Sequence, residues 1–108
     1  MTKELQSSID SAVAALTKAL KPKQIYLFGS CARGTATEDS DIDLLVVVDD
    51  QMGDKLLNTS AAYRATRGLN FSKDIIVDQE SVFQKRASWV SSIEREVVES
   101  GKLVYGRS

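Results

Sequence analysis

The chain has 108 residues, 43% hydrophobic and 27% charged, a composition that suits one compact globular domain and argues against a disordered or fibrous chain. Its 14 basic and 15 acidic residues leave a net charge of −1, so no broad basic surface is available to nucleic-acid backbones. Histidine is absent, which excludes Ser-His-Asp and Cys-His triads and paired-His zinc sites and leaves carboxylates, Lys, Arg, Ser, Tyr or a hard metal to do any chemistry.

Leu5, Ile9, Val13, Leu16 and Leu20 recur at spacings of three and four, which predicts a helix from Thr2 to Leu20 with one apolar stripe. Pro22 disfavours helical geometry in Lys21 and ends it. Gln24 to Phe28 is rich in β-formers and stops at Gly29, as a short buried strand would. Asp41 to Val48 opens with two carboxylates and continues as an apolar run, the pattern of a central strand carrying charge at its start. Asp49 to Asp54 is a polar turn. Lys55 to Arg67 carries Leu56, Leu57, Ala61 and Ala65 in a helical pattern that ends near Gly68.

A third strand is expected over Phe71 to Val77, then helices over Gln79 to Ala87 and Trp89 to Ser100, with Trp89, Ile93 and Val97 spaced to face the core. Leu103 to Tyr105 reads as an extended tail. The mixed order places the chain in the α/β or α+β class, as a single domain over residues 1–108 with a small mixed sheet flanked by helices. The longest purely apolar run, Leu44 to Val48, is far shorter than the roughly 20 residues of a membrane span. The polar, acidic N-terminus lacks the pattern of a secretory leader, and the lone Cys31 cannot form an internal disulfide, so a cytoplasmic protein is expected.

The informative stretch is Gly29-Ser30-Cys31-Ala32-Arg33-Gly34, followed after a polar loop by Ser40-Asp41-Ile42-Asp43-Leu44-Leu45-Val46. Side chains alternate along a strand, so Asp41 and Asp43 point to one face with Cα atoms about 6.5 Å apart. A third carboxylate on a neighbouring strand would add repulsion of about 4 kcal/mol per close pair at an intermediate effective dielectric, which a divalent cation removes. Oxygen-only ligands favour Mg²⁺, with Mn²⁺ as an alternative, and Mg²⁺ characteristically completes its shell with substrate phosphates. Gly29 allows a tight turn close to a phosphate, Ser30 adds a hydroxyl and an N–H, and Arg33 either adds a fork of donors or pairs with Glu38 or Asp39. Gly29 to Gly34 imitates a Walker loop, but Thr35 stands where its lysine belongs. Asp39, Asp41 and Asp43 imitate a calcium loop, but Leu44 takes the place of its glycine.

The Gly-Ser-x-Ala-Arg-Gly turn spaced from Ser-Asp-Ile-Asp-Leu-Leu-Val resembles the DNA polymerase beta superfamily of nucleotidyltransferases, and more narrowly its minimal nucleotidyltransferases. The resemblance implies a polymerase beta-like fold and a catalytic set of Asp41, Asp43 and a third carboxylate holding Mg²⁺, with two ions expected. Asp74 in Lys73-Asp74-Ile75-Ile76-Val77-Asp78 matches the third position better than Asp78, because it precedes the apolar run. By the same resemblance Gly29, Ser30 and Arg33 bind the triphosphate of a nucleotide, ATP for preference, and AMP is transferred to an acceptor. Relatives of this kind act as antitoxins beside a helical HEPN-type partner, which implies a protein acceptor and a homo- or hetero-oligomer. Two other functions compete: a binding module that neutralises its partner by contact without catalysis, and a small-molecule nucleotidyltransferase of the antibiotic-modifying kind.

Overall fold

A computed structural model describes residues 2–37 and 40–106. Helix α1 spans Lys3–Leu20, with the Thr2 hydroxyl accepting from the Leu5 N–H at 3.1 Å as N-cap. Lys21 closes it in the left-handed region at φ 48°, its N–H donating to the Thr17 carbonyl, and Pro22 follows. Ile9, Ala12, Leu16 and Leu20 are buried, with Leu5 and Val13 packed partly against them, so the predicted stripe is the core-facing stripe.

Strand β1 is Gln24–Phe28, and short helix α2, Gly29–Arg33, begins at once. Strand β2 is Ile42–Val48, a 3₁₀ turn covers Asp50–Met52, and helix α3 is Lys55–Ala65. Strand β3 is Lys73–Gln79, helices α4 and α5 are Glu80–Ala87 and Ile93–Ser100, and strand β4 is Lys102–Gly106. The sheet runs in the order β3-β2-β1-β4, with β1 antiparallel to both neighbours and β2 parallel to β3. The expected mixed sheet flanked by helices is therefore present.

Both faces of β2 are covered, which is why Leu44 to Val48 forms an unbroken apolar run. Ile42, Leu44, Val46 and Val48 meet Ile9, Leu16 and Ala62 of α1 and α3 on one face; Leu45 and Val47 meet Phe83 of α4 and Val97 of α5 on the other. Tyr26 stacks on Phe83 in that second layer, ring centroids 5.5 Å apart.

Three expectations need correction. The tail at Leu103 to Tyr105 is a strand that forms one edge of the sheet against β1. In α3, Leu56 and Leu57 are exposed, at 73% and 68%, while Asn58 and Ala62 are buried. The Asp54 cap, accepting from the Leu56 and Leu57 N–H groups, sets the start of this helix, and its apolar residues are scattered around its circumference. Finally, Trp89 and Ile93 are 47% and 46% exposed, and only Val97 of that trio reaches the core. Residues 88–92 form a turn instead of helix, because the Ser92 hydroxyl accepts from the Arg95 N–H and starts α5 four residues later than the hydrophobic spacing suggests. Trp89 lies outside under Arg86, whose guanidinium carbon is 4.9 Å from its ring centroid.

Candidate active site

Strands β1 and β2 are joined by α2 and its following loop, so the turn that ends one strand lies beside the start of the next. Phe28 and Asp43 are register partners in the antiparallel pair, which brings Gly29 against Asp43. A Cβ on Gly29 would overlap Asp43 Oδ2 and stand 3.2 Å from its Cγ. Gly29 also has φ +70°, a conformation costly for any residue with a side chain. Two independent constraints thus require glycine here.

Ser30 and Cys31 follow in the first turn of α2, whose N-cap Phe28 offers no side-chain acceptor to the leading amides. The Ser30 carbonyl accepts from the N–H groups of Gly34 and Thr35, closing the turn. Cys31 is buried, and its Sγ donates to the Asp41 carbonyl at 3.6 Å, fastening α2 to the residue that leads into β2. Burial, with the nearby Asp43 charge, pushes its thiol pKa up. Arg33 is exposed in the last turn of α2, and its alternative partners Glu38 and Asp39 lie outside the described residues.

Asp41 is exposed just ahead of β2, Asp43 is half-buried on it, and Asp74 is exposed on β3. Asp43 and Asp74 are register partners across the parallel pair, which sets their Cα atoms about 4.8 Å apart. Burial raises the pKa of Asp43 first of all; the charges of Asp74, Asp41 and Glu96 raise it further, and Arg33 opposes them. Among the described residues, no three Asp, Glu or Cys side chains are drawn close enough to enclose an ion by themselves.

Asp78, the other sequence candidate, has a different setting. It lies four residues further along β3, 1% exposed, with Lys55 Nζ 3.4 Å from Oδ1 and the Glu94 carboxyl of α5 beside it. Tyr63 of α3 was not singled out from sequence, yet it reaches this end of the sheet. Its hydroxyl accepts from the Ile75 N–H at 3.0 Å and donates to Asp74 Oδ1 at 3.5 Å. No motif marks it, since the contact depends on how α3 folds back over the edge of β3.

Residues 9–104 match the family described as Nucleotidyltransferase domain. The chain belongs to this family. A Methanocaldococcus jannaschii relative, provisionally named a protein adenylyltransferase, is 35% identical over 102 residues, covering 89% of this chain and 97% of the relative. Two solved structures are similar in fold to the chain described here. One is a toxin-antitoxin with AMP-PNP: 26% identical, TM-score 0.60, covering 92% of this chain and 74% of the other. The second is the toxin-antitoxin MntA-HpeT carrying two Asp-to-Glu substitutions two residues apart: 25% identical, TM-score 0.57, covering 89% and 72%. The chain is accordingly an enzyme of the minimal nucleotidyltransferase type. Among the described residues no helix is long and apolar enough to cross a membrane.

Proposed function

We propose that this nucleotidyltransferase moves AMP from ATP to a hydroxyl of a partner protein, with release of pyrophosphate. The observation that carries the reading is the convergence of Gly29, Asp43 and Asp74 at one end of the sheet, where a turn without a side chain abuts one of two register-paired carboxylates. A nucleoside triphosphate needs that combination: a close backbone approach for its phosphates and anionic oxygens for the accompanying cation.

Asp41, Asp43 and Asp74 are the proposed ligands of Mg²⁺, as two ions, with Mn²⁺ as a substitute. Their fit lies in hard oxygen donors and in the mutual repulsion that already raises Asp43, a cost that a divalent cation offsets. Since these carboxylates do not enclose an ion unaided, nucleotide phosphates would complete the shell. Bound Mg²⁺ supplies charge neutralisation at the phosphates and at the oxygens that enter and leave phosphorus. Gly29 and Ser30 present backbone N–H groups and a hydroxyl to the triphosphate, and Arg33 adds positive charge at the mouth of the turn. Asp74, exposed at the sheet edge, orients the attacking hydroxyl and takes its proton as the bond to the α-phosphorus forms and the α–β phosphoanhydride breaks.

A protein acceptor is supported by the name of the Methanocaldococcus jannaschii relative and by the toxin-antitoxin assemblies among the solved neighbours. The partner proposed is of the HEPN type, and the compartment the cytoplasm, where ATP is at hand and Cys31 stays reduced. The paired Asp-to-Glu substitutions in MntA-HpeT match the spacing of Asp41 and Asp43, which supports that pair as the place to test.

The test is incubation of the purified chain with Mg²⁺ and α-labelled ATP, with and without the product of the adjacent gene, following labelled protein and pyrophosphate. Protein label that disappears in Asp41→Asn, Asp43→Asn and Asp74→Asn is the expected result. Partner binding without label from any of the four nucleotides would overturn the reading in favour of neutralisation by contact.

A further inference from the structure

Asp74 has a neighbour whose placement is unusual for an exposed tyrosine. Strand β3 is an outer strand of the sheet, so it pairs with β2 along one side only. Its other side presents backbone groups that need partners. The N–H of Ile75 meets its partner in Tyr63 Oη, at 3.0 Å, across a separation of twelve residues. A phenol carries one proton and accepts through its lone pairs. With the acceptor side engaged by Ile75, the proton is directed to Asp74 Oδ1, 3.5 Å away. One hydroxyl therefore grips both the carboxylate of Asp74 and the backbone of the next residue.

The helix that delivers this hydroxyl is itself anchored. α3 packs on α1 and β3 through Ala62, which is fully buried next to Tyr63. Thr66 beyond it is also fully buried and donates to the Ala62 carbonyl at 2.9 Å, tightening the end of the helix. The tyrosine, 39% exposed, thus stands on a fixed base although its ring is partly in solvent. An exposed aspartate has several staggered rotamers open to it. A hydrogen bond to one oxygen selects among them and leaves the second oxygen available.

We propose that Tyr63 is a positioning residue for Asp74, holding its carboxylate in the orientation in which one oxygen stays free for the metal and acceptor of the nucleotidyl-transfer site. The inference rests on the proposed function, since it assigns Tyr63 a part in the site that Asp74 would serve. Partners in the outer shell of a metal site fix ligand orientation, and their loss costs about 10- to 100-fold in metal affinity or activity. The hydrogen bond to Asp74 is long, which places the expected effect at the lower end.

Tyr63→Phe removes the hydroxyl and keeps the ring. Binding of Mn²⁺ alone, followed by the electron paramagnetic resonance signal of the free ion, is expected to weaken about tenfold. In the labelled-ATP assay kcat should fall by a similar factor while KM for ATP changes less than twofold, because the nucleotide's own contacts are untouched. A thermal melt within a few degrees of wild type is expected, and it separates positioning from a merely structural role, which would lower the melt and leave Mn²⁺ affinity unchanged. In an Asp74→Asn background, Tyr63→Phe should weaken Mn²⁺ binding no further. Wild-type Mn²⁺ affinity and kcat in Tyr63→Phe, with Asp74→Asn impaired, would overturn this inference and leave the proposed function standing. Wild-type behaviour of Asp74→Asn itself would remove both.

Discussion

Asp78 on β3 and Glu94 on α5 bury their carboxyls side by side, 1% and 3% exposed, between the sheet and the outer helices. Asp78 Oδ2 meets no donor, while Lys55 stands at Oδ1 and Arg86 Nε donates to Glu94 at 3.0 Å. The arrangement is satisfied when one proton is shared: burial first, then Glu94, pushes Asp78 up to about 7, and burial of Glu94 is outweighed by hydrogen bonds from Asp78 and Arg86 that hold it low.

A pH dependence of stability follows with a definite sign. Asp78 has a folded-state pKa raised above its unfolded value, so its stabilising contribution is full below about pH 4 and is lost as pH rises toward 7. Glu94 is depressed, so its contribution is present above its unfolded value and is lost as pH falls through its folded one. Urea denaturation should therefore find maximal stability on the acid side of neutrality, with a loss on the order of 2 to 4 kcal/mol between about pH 5 and 8. Asp78→Asn should flatten this slope and equal or exceed the wild type at pH 8. An unchanged slope would show that the proton is not shared here.

Gly29→Ala should act on function before stability. The new methyl group overlaps Asp43 Oδ2 at a residue whose φ is +70°, with a strain cost of about 1 to 3 kcal/mol. Displacement of Asp43 should reduce nucleotidyl transfer at least about a hundredfold. Circular dichroism melts and the labelling assay, run on the same preparation, separate the two effects.

Asp43→Asn should lose function without losing stability. Burial and the charges of Asp74 and Asp41 hold its folded pKa above the ordinary carboxylate value, so the ionised group opposes folding near neutral pH and the contribution it makes in acid is lost as pH rises. Its amide should melt at the wild-type temperature or about 2 to 4 °C higher, while transfer is abolished. The stability difference should shrink on acidification and on addition of Mg²⁺.

Substitutions on the α4–α5 segment should divide by burial. Val97→Ala removes a fully packed side chain from the second layer and should cost about 2 kcal/mol or more. Ile93→Ala and Trp89→Ala, at half-exposed positions, should cost less than about 1 kcal/mol. Chemical denaturation of the three variants checks this directly.

Much was open to reading in sequence because it depends on local patterns. The apolar spacing of α1, its Pro22 stop, the unbroken run of β2 and the Gly29-Ser30 turn each carry their signal within a few neighbouring residues. The Asp41-x-Asp43 spacing is also local, two residues apart where β2 begins. Errors arose where two local signals competed or a signal was lacking. Ser92 caps α5 against the hydrophobic spacing of Trp89 and Ile93, and the apolar residues of α3 do not mark one face.

The amino-acid sequence by itself determined the class of fold, the position of the Gly29-Ser30 turn and two of the three proposed acidic ligands, since those features are written in spacing and composition. Only the tertiary structure decided that Asp74 is the register partner of Asp43, that Asp78 is buried against Glu94, and that Tyr63 reaches the edge of β3. The reason is physical: strand register and the return of a helix over a sheet edge join residues 11 to 31 positions apart, and such distant pairings leave no periodicity in the chain.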